Sequence, residues 1–181
     1  MFFSSEKHPN IYTVRLKLRS PSFLDVNDVF DFCSDPDASK YADWSPHNTK
    51  GETRDYIAWL KRKASRESFT WVIEKTDDQK VIGTISITEM DYSGKIATIG
   101  YTLSKVYQHK GYATEAVEGL IKYLFEDLFC ERVQAKVMPE NSASIRLLER
   151  VGMKKDALLK KGAYCKTACV DIYLYSITKN F

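Results

Sequence analysis

An eight-residue run from Gln108 to Glu115 (QHKGYATE) has the residue types of an anion-binding loop. Its glycine, Gly111, directly precedes an amphipathic segment that begins at Tyr112 and predicts a helix. The first turn of a helix leaves its N–H groups without intrahelical partners and carries the positive end of the helix dipole. Because a glycine lets a ligand approach the backbone closely, the run predicts a site for an anion, most naturally a phosphate.

A second polar cluster opens another predicted helix further along the chain, where Asn141 and Ser144 stand three positions apart. An asparagine at this position can cap the helix by accepting a hydrogen bond from a first-turn amide. Capping alone would explain Asn141, and Ser144 would then be a surface serine. The same residues could also contact a ligand, and the two explanations are compatible for Asn141.

The rest of the chain supplies the elements that must position these clusters. An apolar period of two residues predicts strands at 11–20, 68–75, 81–90, 96–103, 132–138, 153–161 and 168–178. A period near 3.6 predicts helices at 22–34, from Thr49 or Thr53 to about 64, at 112–130 and at 142–151. Gly152 is predicted to end the last helix. Without a linker, the chain is expected to form one domain over residues 1–181, with a tail at 1–10.

Composition narrows the classes of function. The net charge is only +3 over 181 residues, which gives no support to a nucleic-acid partner. The four cysteines form no C-x-x-C pair and the three histidines are scattered, so no metal site is predicted. No apolar run approaches the length of a membrane span, and the N-terminus has no signal-like segment. We therefore expect no membrane partner and a cytoplasmic location, and the sequence does not indicate the oligomeric state.

Together these motifs resemble the GNAT superfamily of acyl-CoA-dependent N-acetyltransferases, and within it the RimJ/RimL-like branch of ribosomal-protein N-terminal acetyltransferases. The resemblance rests on the Q-x-x-G-x-A loop, on the segment from Asn141 to Met153 (NSASIRLLERVGM), and on Asp171 with residues 173–176. It covers nearly the whole chain. It implies a single-domain α/β fold with a mixed, mostly antiparallel, twisted sheet of about six or seven strands, splayed central strands and about four flanking helices.

The resemblance also implies how acetyl-CoA would bind. Its pantetheine arm would lie between the splayed strands and its pyrophosphate would lie on the glycine loop. The implied cofactor-binding residues are Leu103, Ser104, Val106, Gln108, His109, Lys110, Gly111, Tyr112, Ala113, Thr114, Asn141 and Ser144. Gly111 could instead be an ordinary turn glycine, and Ala113 and Thr114 ordinary first-turn residues, but a phosphate site explains all three together.

Ser144 and Asn141 are the implied catalytic residues, with the Ser144 hydroxyl near the leaving thiolate as a general acid. A backbone N–H near Tyr101 or Leu103 is the expected donor to the oxyanion. Direct attack of an amine on a thioester requires neither a metal nor a covalent enzyme intermediate.

The chain departs from its relatives at Thr98, where many of them carry a glutamate before the Ile-Gly-Tyr of this strand. A threonine cannot act as a general base at neutral pH. A side-chain base would then come from another acid, and Glu89, Asp91 and Asp43 are the candidates by position. Orientation of the reactants could also supply most of the rate without one.

The expected function is therefore acetyl-CoA-dependent acetylation of a primary amine, on a protein N-terminus or on a small molecule such as a polyamine or an aminoglycoside. The alternative is a non-catalytic acyl-CoA-binding or sensor domain, which the threonine at position 98 would suit. Tyr41 and Trp44 lie in a predicted loop. They could form a wall of the acceptor site or could cover the core from outside.

Overall fold

The computed structural model describes residues 8–65 and 67–179, which form eight strands, four α-helices and two short 3-10 helices. The strands are β1 (Ile11–Tyr12), β2 (Leu16–Arg19), β3 (Phe69–Lys75), β4 (Val81–Asp91), β5 (Ile96–Leu103), β6 (Arg132–Val137), β7 (Lys154–Cys165) and β8 (Ala168–Thr178). The helices are α1 (Val26–Cys33), α2 (Lys50–Lys63), α3 (Tyr112–Glu126) and α4 (Ser142–Arg150), with 3-10 turns at Phe23–Asp25 and Lys105–Tyr107. Residues 1–7 of the predicted tail lie outside the described residues.

All the strands belong to one sheet with the spatial order β1-β2-β3-β4-β5-β6-β8-β7. β5 and β6 pair in parallel, whereas the other neighbours pair antiparallel. The predicted mixed, mostly antiparallel α/β architecture is confirmed. The crossover between β5 and β6 contains α3, which is the usual way to connect parallel neighbours. This crossover places the predicted anion loop at the end of β5.

The prediction of one strand over residues 11–20 is wrong, and the difference accounts for the additional strand. Residues 13–15 form a turn in which the Thr13 amide donates to the Leu16 carbonyl at 2.9 Å. The chain then reverses, so that β1 pairs with β2, for example Ile11 with Leu18. The Thr13 hydroxyl donates to the Glu115 carboxylate on α3 at 2.6 Å. The strand is therefore interrupted where Thr13 contacts Glu115, a residue 102 positions further along the chain.

The helix ends follow from local chemistry. The Thr49 side chain accepts from the Glu52 amide at 3.2 Å, so Thr49 rather than Thr53 starts α2. Gly152 follows α4 with a φ of +86°, as a residue after a helix C-terminus commonly does. α3 ends at Glu126, earlier than predicted, because the chain turns through Phe129 at a φ of +54°.

The helices cover both faces of the sheet. α3 and α4 pack on one face over the larger core cluster, whose buried members include Trp71, Leu120 and Leu124. α1 and α2 cover part of the other face over a smaller cluster that includes Phe32 and Ile57. Within the described ranges, no helix combines the length and apolar character needed to cross a bilayer.

Candidate active site

The loop that enters α3 has the backbone of an anion-binding turn. His109 and Gly111 have positive φ values, 61° and 82°, and the former is unusual for a residue with a side chain. The first helical hydrogen bond joins the Glu115 amide to the Gly111 carbonyl at 3.0 Å. Among the described residues, the amides at positions 112–114 donate to no backbone carbonyl. These amides, at the positive end of the helix dipole, are therefore free to bind an anion.

Beside this loop the sheet opens. The ladder between β5 and β6 ends at the pair Ile99 and Ala135, although β5 continues to Leu103. The unpaired edge of β5 thus has backbone groups that a ligand with amide groups can satisfy. Part of this edge is already used, because the Gln108 side chain donates to the Leu103 carbonyl at 3.2 Å. The splayed central strands predicted from the family resemblance are confirmed by this pairing.

Asn141 and Ser144 lie across the gap from the loop, at the start of α4. The Asn141 side chain caps the helix by accepting from the Ser144 amide at 3.1 Å. The Ser144 hydroxyl lies 2.7 Å from the Tyr101 hydroxyl on β5. Burial raises the pKa of Tyr101 to about 12, so this phenol is protonated at neutral pH. The result is a pair of protonated hydroxyls held between β5 and α4.

A cavity of about 630 Å³ brings these parts together. Of the predicted cofactor-binding residues, it is lined by Leu103, Gln108, His109, Gly111, Tyr112, Ala113, Thr114, Asn141 and Ser144. Three others, Ser104, Val106 and Lys110, do not line it. The Ser104 amide donates to the Ile82 carbonyl at 2.8 Å and Val106 is exposed to solvent, which explains their absence from the wall.

The comparisons with known proteins agree with this geometry. A family model described as "Acetyltransferase (GNAT) domain" matches residues 15–154. The chain belongs to this family. Over 172 residues it is 35% identical to p20 of Bacillus licheniformis, described as an uncharacterized N-acetyltransferase, in an alignment that covers 93% of this chain and 96% of p20. The protein is therefore an acetyl-CoA-dependent N-acetyltransferase.

Solved structures of GNAT acetyltransferases have the same fold. One from Bacillus anthracis superposes with a TM-score of 0.84 at 26% identity, and the match covers 94% of this chain and 98% of that one. RimL, a ribosomal L7/L12 alpha-N-protein acetyltransferase in complex with coenzyme A, superposes with a TM-score of 0.82 at 20% identity. That match covers 94% of this chain and 98% of RimL. At this lower identity the likeness concerns the fold.

In this GNAT acetyltransferase the loop between α1 and α2 forms another wall of the cavity, and its two aromatic residues behave differently. Tyr41 lines the cavity, and its hydroxyl donates to the Glu140 carbonyl at 3.2 Å. Trp44 packs against the smaller core cluster. Trp44 therefore covers the core, which is one of the two explanations offered for the aromatic pair, whereas Tyr41 lies in the wall of the cavity.

The acids proposed as a general base do not line the cavity. Thr98 is buried, and its hydroxyl accepts from the Gln134 side chain at 3.0 Å. Glu89 lies opposite Thr98 in the β4–β5 ladder, but its carboxylate pairs with Lys136 at 3.0 Å. Hydrogen bonds in a turn, first among them that from the Ser93 hydroxyl, lower the pKa of Asp91. Asp43 is exposed on the loop before α2.

Sequence reasoning missed the Tyr101 side chain in the cavity wall and Arg15 beside the loop. The Tyr101 side chain was not expected beside Ser144, because only its backbone amide was considered. Arg15 lies within the stretch predicted as one strand over residues 11–20, yet its guanidinium contacts the start of α3 and the loop before it. The available signal was Glu115, an acid in the first turn of a predicted anion-binding helix that requires a cationic partner. Nothing in the sequence identified which of the many cations would supply it.

Proposed function

We propose that this acetyltransferase binds acetyl-CoA in the cavity between the α3 loop and Ser144, and transfers the acetyl group to a free α-amino group such as a protein N-terminus. One observation carries the proposal: a single cavity connects the free amides at the start of α3 with the Tyr101–Ser144 hydroxyl pair. The free amides suit a diphosphate, and the hydroxyl pair suits a leaving thiolate.

The residues around the cavity fit coenzyme A. The amides at positions 112–114 would hold the diphosphate, and the open edge of β5 would meet the amide groups of the pantetheine arm. Cationic side chains suited to a polyanionic ligand line the same cavity, namely Lys40, Lys105, Arg146 and Arg150. The structure of RimL in complex with coenzyme A supports the assignment of this ligand to the shared fold.

The chemistry then follows from Ser144 and Tyr101. Acetyl-CoA supplies an activated acetyl group, as a thioester that a neutral amine can attack directly. A phenol is more acidic than an alcohol, so Tyr101 is the better donor and leaves the Ser144 proton available to the cavity. Ser144 Oγ would donate that proton to the leaving sulfur as the C–S bond breaks, a modest demand because a thiol has a pKa of roughly 8.5. The proton that the attacking amine loses would return through water to the Tyr101–Ser144 pair. Asn141 keeps Ser144 in place by capping the helix.

Thr98 favours an α-amino acceptor over a lysine side chain. An α-amino group has a pKa of roughly 8, so about a quarter of it is neutral near pH 7.5, whereas a lysine amine has a pKa of roughly 10.4 and requires a base. In the described chain, position 98 holds a buried hydroxyl and the three candidate bases lie outside the cavity. RimL, which shares the fold, is an alpha-N-protein acetyltransferase by its description.

The acceptor is tested by thiol release from acetyl-CoA with matched amines. Peptides with a free N-terminus and no lysine are compared with Nα-blocked lysine peptides, polyamines and aminoglycosides. We expect the free N-terminal peptides to give the highest kcat/KM. Faster turnover of polyamines, aminoglycosides or blocked lysine peptides would refute the α-amino proposal.

The role of Ser144 is tested by Ser144→Ala. We expect kcat to fall by about 10²-fold, the low end of general acid catalysis, because the leaving thiolate loses its proton donor. The affinity for coenzyme A, measured by calorimetry, should stay within about twofold, since the removed interaction serves the reaction rather than binding. Ser142→Ala is the matched control: Ser142 lies in the same helical turn but is exposed and outside the cavity. Equal losses in both variants would contradict the acid role.

A further inference from the structure

The turn between β1 and β2 is bound to the start of α3 by Arg15. The Arg15 backbone amide donates to Glu115 Oε1 at 2.7 Å, and its side-chain Nε donates to Glu115 Oε2 at 2.7 Å. Its Nη1 donates to the Lys110 carbonyl at 3.1 Å. One residue of the hairpin thus contacts both the loop and the first turn of the helix that follows it.

Glu115 creates an electrostatic conflict that Arg15 resolves. A carboxylate in the first turn stabilises the helix dipole, but it would also repel a phosphate bound at the same end. Both Glu115 oxygens are engaged by the hairpin, since Oε1 also accepts from the Thr13 hydroxyl at 2.6 Å. The Glu115 side chain is only 16% exposed, so its charge is poorly screened by water and the adjacent guanidinium is its main compensation.

Arg15 contacts Lys110 and Tyr112 of the loop, and it lies beside Gly111 between them. Besides the Lys110 carbonyl, its guanidinium lies 4.5 Å from the centroid of the Tyr112 ring. A Cβ at Gly111 would lie 3.3 Å from Arg15 Nη2. His109, Gly111 and Tyr112 line the cavity, whereas Lys110 and Arg15 do not. The Lys110 carbonyl, whose oxygen would repel a phosphate, is therefore held on the side of the loop that carries Arg15.

We propose that Arg15 is a positioning residue for the phosphates of coenzyme A: it neutralises Glu115 and binds the Lys110 carbonyl, so that the loop presents amides to the cavity. The proposal rests on the proposed function, because it assumes that the cofactor lies in that cavity. Arg15 acts through the loop rather than by contact with the reacting atoms. Its loss should therefore weaken cofactor binding and leave the chemical step unchanged.

The test compares Arg15→Met with Arg19→Met. Arg19 lies on the same hairpin and also pairs with carboxylates, those of Asp25 and Glu74, neither of which lies on the α3 loop or lines the cavity. We expect Arg15→Met to raise the Kd of coenzyme A, measured by calorimetry, by about tenfold, as loss of a charge-assisted contact should. The KM of acetyl-CoA should rise equally, with kcat at saturation unchanged. Arg19→Met should lower the melting temperature without changing the Kd.

Two further variants separate charge from geometry. Arg15→Lys keeps the charge but lacks the planar fork of donors that reaches Glu115 and the Lys110 carbonyl together, so it should recover only part of the affinity. In Arg15→Met combined with Glu115→Gln the uncompensated carboxylate is gone, and the affinity should partly return. This double variant also keeps the test usable if Arg15→Met alone fails to fold.

Two results would overturn the inference. One is an unchanged Kd for coenzyme A in Arg15→Met, with a lower melting temperature as in Arg19→Met. The other is a double variant that folds but binds no better than Arg15→Met. Failure of the proposed function looks different, because the wild-type protein would then bind no coenzyme A at this loop, and Arg15 variants and wild type would behave alike.

Discussion

Two arginines on the β1–β2 hairpin have the same chemistry but different surroundings. Arg19 binds Asp25 through both terminal nitrogens, at 2.7 and 2.9 Å, and also binds Glu74 on β3. Arg15 binds Glu115 and a backbone carbonyl of the α3 loop. The Arg19 side chain is 19% exposed and the Arg15 side chain is 45% exposed. Arg19 therefore joins parts of the fold, whereas Arg15 joins the fold to the site.

This difference shows that an ion pair cannot be assigned a role from its geometry alone. Both arginines make short, charge-assisted hydrogen bonds to carboxylates of low exposure. What separates them is the function of the element to which each partner belongs. The partners of Arg19 stabilise the sheet and the 3-10 turn before α1. The partners of Arg15 belong to a loop whose backbone must remain open to a ligand.

The largest expected effect on stability is that of Arg19→Met. It leaves the nearly buried Asp25 carboxylate without its cation and leaves Glu74 with only Lys17, at 4.0 Å. Breaking such a buried pair typically destabilises a protein by roughly 3 kcal/mol. Denaturant unfolding measures the change. Lys95→Met, which removes an exposed pair with Glu131, is the control and should have little effect. A larger loss of unfolding free energy in Lys95→Met than in Arg19→Met would show that burial does not decide the strength of these ion pairs.

A smaller effect is expected for Gly111→Ala. A side chain at positive φ is unfavourable by about 1–2 kcal/mol, and the new Cβ would also lie 3.3 Å from Arg15 Nη2. Gly152→Ala is the matched control, because Gly152 has a similar φ of +86° and its Cβ would have ordinary contact with Ile177 at 3.5 Å. Unfolding should show similar destabilisation in both variants. Only Gly111→Ala should raise the KM of acetyl-CoA, and a rise in both would contradict the assignment of the loop.

The smallest effect concerns stability in acid. Burial opposes ionisation of Glu115, but hydrogen bonds from Thr13 and Arg15 outweigh it, so the pKa of Glu115 lies below its ordinary 4.5. A carboxyl with a lowered pKa in the folded state stabilises fully above the unfolded value and loses this contribution as the pH falls through the folded one. Glu115→Gln should therefore flatten the fall in melting temperature below pH 4.5. If the melting temperature of Glu115→Gln fell with pH as steeply as that of the wild type, the Thr13–Arg15–Glu115 cluster would not contribute to stability in acid.

The parts of the fold that the sequence predicted correctly are set by interactions between residues that are close in sequence. The caps by Thr49 and Asn141, and the glycine after α4, follow from short-range hydrogen bonding and backbone preference. The unpaired amides at the start of α3 follow in the same way from helix geometry. The break after β1 was missed because residues 13–15 continue the alternating pattern while their contacts lie on α3.

By itself, then, the sequence determined the order of the elements after the β1–β2 hairpin, the position of the anion loop and the membership of the acetyltransferase family. These properties are encoded in periodicity and in short motifs. Only the tertiary structure decided that Tyr101 meets Ser144, at a separation of 43 residues, and that Arg15 meets Glu115, at a separation of 100. The physical reason is that many side chains could satisfy a hydroxyl or a carboxylate, and only the packing of the hairpin, sheet and helices brings one of them within hydrogen-bonding distance.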